Sequence, residues 1–281
     1  MKKKMRKALM VILFAVFAVS TLMALLQWMD NSEGEAAYAD AAQIAMHAPE
    51  KELPRETQPE MAEPAVPADV PAEPVTYWAP VPVKDSTEME EMKQISITAL
   101  QEKNEDVVGW VRIPGTKVDY PIMQGQDNDF YLNHTWDKQA NSVGSIFMEH
   151  LNNPEMTDFN TIVYGHNMRN NSMFGDLENY SQERFFQDHP YVYVTTEKGV
   201  YRYEVFAFFL AEVDSLTYGL NLTREDTKRE FLDLALENAR YDTGIEPEVT
   251  DLILTLSTCS GGSYASRYVV QARLPMMKVT K

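Results

Sequence analysis

A nearly unbroken run of apolar and small residues, Ala8 to Leu26 (ALMVILFAVFAVSTLMALL), constrains this 281-residue chain more than any other feature. Nineteen such residues come close to the ~20 needed to cross a bilayer as a helix. A secretory signal has a shorter core, roughly 7–15 residues, followed at once by a small-residue cleavage site. Ala37-Tyr38-Ala39 offers such a site but lies too far past the core. Lys2, Lys3, Lys4, Arg6 and Lys7 precede the run and Asp30 follows it, so the positive-inside rule leaves the N-terminus in the cytoplasm. Residues 1–29 therefore read as a basic tail and an uncleaved single-pass anchor, touching membrane lipid through residues 8–29, with the rest of the chain outside.

The formal charge of −17 is spread unevenly. Residues 30–91 hold 15 acids against 3 bases, and nine of the fifteen prolines fall between Pro49 and Pro82. Such composition buries too little apolar surface to offset ordering entropy. Residues 30–84 are thus expected to form a disordered spacer, and a chain beginning near Asp85 to keep its activity. The acidity argues against nucleic acid as a partner, which calls for a basic face.

From about Asp85 to Lys281 the composition is that of one globular domain with a full core. Asp85–Asn104 reads as a helix, with Met89, Met92, Ile95 and Ala99 at helical spacing. Eight β-rich runs follow: Gly109–Ile113, Lys117–Met123, Gly144–Met148, Thr161–Tyr164, Tyr191–Thr195, Tyr201–Val213, Asp251–Thr258 and Tyr268–Leu274. Several alternate apolar and polar residues, as half-buried antiparallel strands do. A longer helix interrupts them, opened by a capping-box pattern (Thr223, Asp226) and striped with Phe231, Ala235 and Leu236 up to Arg240. The expected class is mainly β, a closed or nearly closed barrel.

Cys259 is the lone cysteine, at the end of the apolar run LILTLSTC. An exported chain with one thiol forms no internal disulfide. A buried small hydrophobe is the commonest fate of such a residue, yet an unpaired thiol outside the cytoplasm is chemically exposed, and its presence there points to use. No second cysteine and no ligand-like histidine spacing stand with it, so neither zinc nor any other cofactor is expected. A nucleophilic thiol needs a base or an electropositive neighbour. Of five histidines, His47 falls in the spacer, His189 precedes Pro190, and His134 and His150 sit in polar loops. His166 instead follows a strand (NTIVYGHNM), as Cys259 ends another. Arg267 opens the next strand and returns near Cys259 if the two strands pair. Histidines and arginines at strand ends are more often plain solvated residues.

Thr255-Leu256-Ser257-Thr258-Cys259 resembles the TLxTC signature of sortases, with Arg267 at the usual distance and Tyr164-Gly165-His166-Asn167 similar to their histidine segment. DVVGWVRIPGTKVDYPIMQGQDNDFYLNHTW, GSIFMEH, YGHNMRNNSMFGDL and the helix Thr223–Arg240 resemble class B sortases in particular. The resemblance spans Asp85 to Leu274. It implies an eight-stranded β-barrel with an N-terminal helix and a long helix inserted before the cysteine strand. It also implies an extracytoplasmic cysteine transpeptidase, in which Cys259 attacks a threonine carbonyl of a C-terminal sorting motif. His166 would be general acid and then base, and Arg267 would stabilise the oxyanion. Asn128, Leu132, Tyr164, Ser257 and Thr258 match substrate-groove positions. Read by themselves, Leu132 and Tyr164 suit a core and Asn128 a helix cap. Ser260 departs from the acid often found after the cysteine, and the loop SGGSYAS is short. The partners implied are surface proteins bearing a sorting motif and an amine acceptor such as a peptidoglycan precursor. Pilin polymerisation, a papain-like thiol hydrolase working without the arginine, and a catalytically idle display module are the alternatives.

Overall fold

The computed structural model describes residues 2–47, 76–84, 86–259 and 266–280. Its first element, α1 (Lys2–His47), is one continuous helix. Its apolar N-terminal half is long and apolar enough to cross a membrane, and from Ile12 to Trp28 it is exposed. Its second half corrects the spacer expectation. Tyr38, Ala41 and Ala45 recur at helical spacing and are buried against the barrel. Prolines begin only at Pro49, so nothing local stops the helix at Asp30. A second part of that segment, β1 (Thr76–Pro80), pairs antiparallel with the last strand, β10 (Met276–Thr280). The remainder of the spacer reading, at 48–75, lies outside the described residues.

The helix expected over Asp85–Asn104 is two short ones, α2 (Thr87–Lys93) and α3 (Ile97–Gln101). Ser96 divides them. It takes an extended backbone and accepts a bond from the Ala99 amide, capping the second helix rather than continuing the first. Its own amide donates to Ala45 O, tying the end of α1 to this corner (2.9 Å).

Eight strands close the barrel in the order β2-β3-β4-β5-β8-β9-β7-β6. They are β2 (Val107–Arg112), β3 (Asp119–Met123), β4 (Ile146–Met148), β5 (Asn160–Gly165), β6 (Tyr191–Thr196), β7 (Gly199–Glu212), β8 (Leu252–Cys259) and β9 (Ser266–Leu274). Two pairs, β3 with β4 and β5 with β8, are parallel; the others are antiparallel. A short helix, α4 (Glu183–Asp188), precedes β6, and α5 (Glu225–Asn238) lies between β7 and β8. Most strands are buried on both faces rather than half-buried, because helices and loops cover the outside.

One core fills the barrel and extends under α1–α3. A second lies outside it, where Phe231, Leu232 and Ala235 of α5 meet Phe159, Phe206, Phe209, Ile253 and Val269. Leu236, placed in the apolar stripe by its spacing, is exposed, and Leu232 takes its role. The capping box does not form: Arg224 is the N-cap and caps nothing, while Asp226 binds its own turn at Thr227 N. Burying α5 on the sheet supplies the helix with what its cap does not.

Candidate active site

Strand register alone brings the three chemically suggestive residues together. In the parallel pair β5–β8, Tyr164 faces Ser257 and Gly165 faces Thr258. In the antiparallel pair β8–β9, Cys259 is the direct cross-strand partner of Arg267. His166 follows Gly165, so histidine, cysteine and arginine stand at one end of three adjacent strands. Alternation along β8 puts position 259 on the same face as Ser257.

That face opens on a cleft of about 150 Å³, lined by Asn128, Leu132, Phe147, Tyr164, Gly165, His166, Ser257 and Arg267. His166 is half-buried, and its Nε2 lies 2.6 Å from Leu132 O. A carbonyl only accepts, so Nε2 carries the proton. Two glycines allow this approach. A Cβ on Gly165 would fall 2.5 Å from Ile146 Cδ1 and 2.7 Å from Phe174 Cδ2. Gly144, at φ +62°, would place a Cβ 2.6 Å from Leu132 O and 3.0 Å from His166 Cδ2. Arg267 is half-buried, with Nη1 donating to Ser266 O at 3.3 Å.

A buried carboxylate supports the floor. Glu149, 6% exposed, accepts at Oε2 from Asn128 Nδ2 (2.6 Å) and Tyr164 OH (3.0 Å). Its Oε1 accepts from Leu151 N (3.3 Å) and lies 2.8 Å from His150 Nδ1. Asn128 Oδ1 in turn accepts from His150 N (3.0 Å). Asn128 therefore lines the cleft, held there by side-chain bonds; the neighbouring 3₁₀ turn Phe130–Leu132 has Asp129 at its N-cap. Burial, then the Glu149 charge, push the Tyr164 phenol well above its ordinary range, while Arg267 pulls weakly the other way. The phenol stays a neutral donor. Above it, Ser257 Oγ and Tyr218 OH are 2.9 Å apart, and the Tyr218 ring stacks on Tyr164 at 6.5 Å.

Leu132 is 39% exposed and Tyr164 half-buried, so neither is a plain core residue. Thr258 differs from the other groove candidates. It is buried on the opposite face of β8, outside the cleft lining, and its Oγ1 has no hydrogen-bond partner among the described residues. Ser260 and the loop to Ala265 lie outside the described residues. Among the described residues no cluster of three or more His, Cys, Asp or Glu is arranged to hold a metal. Two other histidines have local roles: His134 stacks on Phe130 (3.9 Å), and His189 Nδ1 donates to Pro114 O (2.7 Å).

Glu149, Phe147 and Tyr218 escaped sequence reasoning. The first two lie in the quoted segment GSIFMEH, where an acid closing an apolar run was the available signal. Tyr218 sits in the 3₁₀ turn Leu216–Tyr218 of a long connection, and no periodicity marks it.

Known proteins resemble this chain in sequence and in fold. A family profile described as "Sortase domain" matches residues 111–275. Sortase B of Listeria monocytogenes is 37% identical over 179 residues, covering 62% of this chain and 72% of the relative. A Bacillus anthracis sortase B structure, in complex with AAEK1, superposes with a TM-score of 0.64 at 29% identity, covering 88% of this chain and 98% of that one. The Staphylococcus aureus sortase B–substrate complex gives a TM-score of 0.60 at 31% identity, covering 65% of this chain and 85% of that one.

Proposed function

This chain belongs to the sortase family and is a cysteine transpeptidase, and from that premise we propose that Cys259, His166 and Arg267 carry its chemistry. The carrying observation is the ladder that pairs Cys259 with Arg267 and sets Gly165-His166 beside Thr258.

In this reading the Cys259 thiolate attacks the threonine carbonyl carbon of a sorting motif bound along the cleft. A C–S bond forms, and the carbonyl oxygen takes the negative charge beside Arg267. The tetrahedral species collapses, the C–N bond breaks, and His166 gives its proton to the departing amine. An amine acceptor then attacks the thioester, His166 takes its proton, and the thiolate leaves. The planar guanidinium suits the oxygen as charge develops, because it offers paired donors in fixed geometry. Asn128, Leu132, Tyr164 and Ser257 form the groove that holds the peptide. Thr258 faces away from this groove, buried on the other side of β8.

The substrates in this reading are surface proteins with a C-terminal sorting motif, and the acceptor is an amine of the peptidoglycan precursor. Residues 8–29 anchor the enzyme as a single span, with the catalytic domain outside. Peptide cleavage with and without an amine acceptor tests the chemistry. Arg267→Lys should fold normally, keep thiol labelling at Cys259, and lose about 10²–10³ in rate, the usual loss of an oxyanion donor. Cys259→Ala should lose all turnover. Near-wild-type turnover in Arg267→Lys would remove the arginine from the mechanism.

A further inference from the structure

The half of α1 beyond the apolar run grips the segment that orients His166. Asn141 Nδ2 donates to Asp30 O (2.9 Å), and the Asp30 carboxylate accepts from the amide (3.2 Å) and hydroxyl of Ser142. A Cβ on Gly34 would stand 2.9 Å from Val143 Cγ2, so the helix crosses this segment in tight contact. Trp136 Nε1 donates to Ala37 O (2.8 Å). Tyr38 then reaches deepest. Its ring is 7% exposed, edge-on to Tyr120 at 5.1 Å, and its hydroxyl donates to Gly144 O at 2.5 Å. The same hydroxyl lies 3.1 Å from Ser145 Oγ, whose proton goes to His134 O (2.8 Å).

The peptide held by Tyr38 is also the one against the histidine. Ser145 N donates to Tyr131 O (2.8 Å), and the next carbonyl, Leu132 O, accepts from His166 Nε2. Gly144 sits directly beneath that carbonyl, with no room for a side chain. Two hydrogen-bonded steps therefore join the Tyr38 hydroxyl to the carbonyl that orients the imidazole. We propose that Tyr38 is a positioning residue for His166, so that the anchor helix also holds the acid–base group in place. Burial keeps the Tyr38 phenol protonated far above its ordinary range, and the donor persists throughout the working pH range. The inference rests on the acid–base role given to His166 above. Misplacing a reacting group by 1 Å can cost about 10²-fold in rate, and a loop freed at one of several contacts should shift it less.

The test uses the full chain in detergent micelles. Tyr38→Phe keeps the ring and removes the hydroxyl. Tyr180→Phe serves as control, since it loses a buried tyrosine bond (to His189 O, 2.7 Å) outside the 130–145 segment. Tyr38→Phe should lower kcat about 5–10-fold with KM within about twofold, and should move the ¹⁵N resonance of His166 Nε2, assigned by its loss in His166→Gln. Tyr180→Phe should do neither. Unchanged kcat in Tyr38→Phe, or an equal fall in both variants, overturns the positioning role. Active His166→Gln would sink the acid–base reading and this inference with it. Inactive His166→Gln beside wild-type turnover in Tyr38→Phe would sink the inference alone.

Discussion

At the scale of single residues, the floor of the cleft depends on one carboxylate. Glu149 accepts from Asn128 and Tyr164 on one oxygen and from Leu151 N on the other. Glutamine has the same shape but a single acceptor oxygen, so its amide must face one of these donors. Turning Asn128 over does not help, because its oxygen already serves His150 N. Glu149→Gln should therefore cost about 1–3 kcal/mol of stability, the usual penalty for an unmet buried donor. With two groove residues loosened, the peptide KM should rise several-fold while kcat changes less. Steady-state kinetics and urea unfolding check this, and an unchanged KM would take the carboxylate out of groove support. The residues proposed for the chemistry stood out in the sequence, because cysteine, histidine and arginine each sat at a recognisable strand end. Glu149 did not, because its partners come from elsewhere in the chain, Asn128 from a loop and Tyr164 from the neighbouring strand β5.

At the scale of elements, α5 shows how little its local signals decide. Its N-terminus has no side-chain cap, and its hold on the protein is the face carrying Phe231, Leu232 and Ala235. Phe231 packs edge-on to Phe159 at 5.6 Å. Phe231→Ala should destabilise by roughly 3–5 kcal/mol, as large core truncations do. Leu236→Ala, on the exposed side of the same helix, should stay within about 0.5 kcal/mol. Urea denaturation of both separates the faces; similar losses would mean that helix propensity, not docking, holds α5. The eight barrel strands lie within two residues of where alternation and β-rich composition set them. The divided helix α2–α3 departs from its pattern because the Ser96 hydroxyl accepts from the Ala99 amide, which apolar spacing does not register.

At the scale of the whole molecule, α1 links the apolar run to the site. Asp30, which already contacts Ser142, lies four positions after Leu26, about 6 Å of helix rise. A domain cut near Asp85 would leave exposed the core surface that Tyr38, Ala41 and Ala45 cover. The proposed orientation rests on the charges that flank the span. Protease added outside intact cells should therefore nick the proline- and glutamate-rich 48–75 stretch, and a denaturing gel should then show a fragment carrying the barrel. Appearance of that fragment only after lysis would reverse the proposed topology.

What the sequence determined by itself is what neighbours along the chain decide. An apolar run long enough for a bilayer, strands of period two and a motif with cysteine, histidine and arginine in order are all local patterns. The tertiary structure decided the contacts between distant positions. Tyr38 meets Gly144, Glu149 meets Tyr164, Tyr218 meets Ser257, and β1 finds β10 at the far end of the chain. Each joins groups with no shared period, and only folding the chain brings them within hydrogen-bonding reach. The segment after Asp30 shows the limit most plainly. Its acidic composition signalled a loose spacer, yet Tyr38, Ala41 and Ala45 on one helical face dock it, together with the hydrogen bonds at Asp30 and Ala37, once a barrel surface is there to receive them.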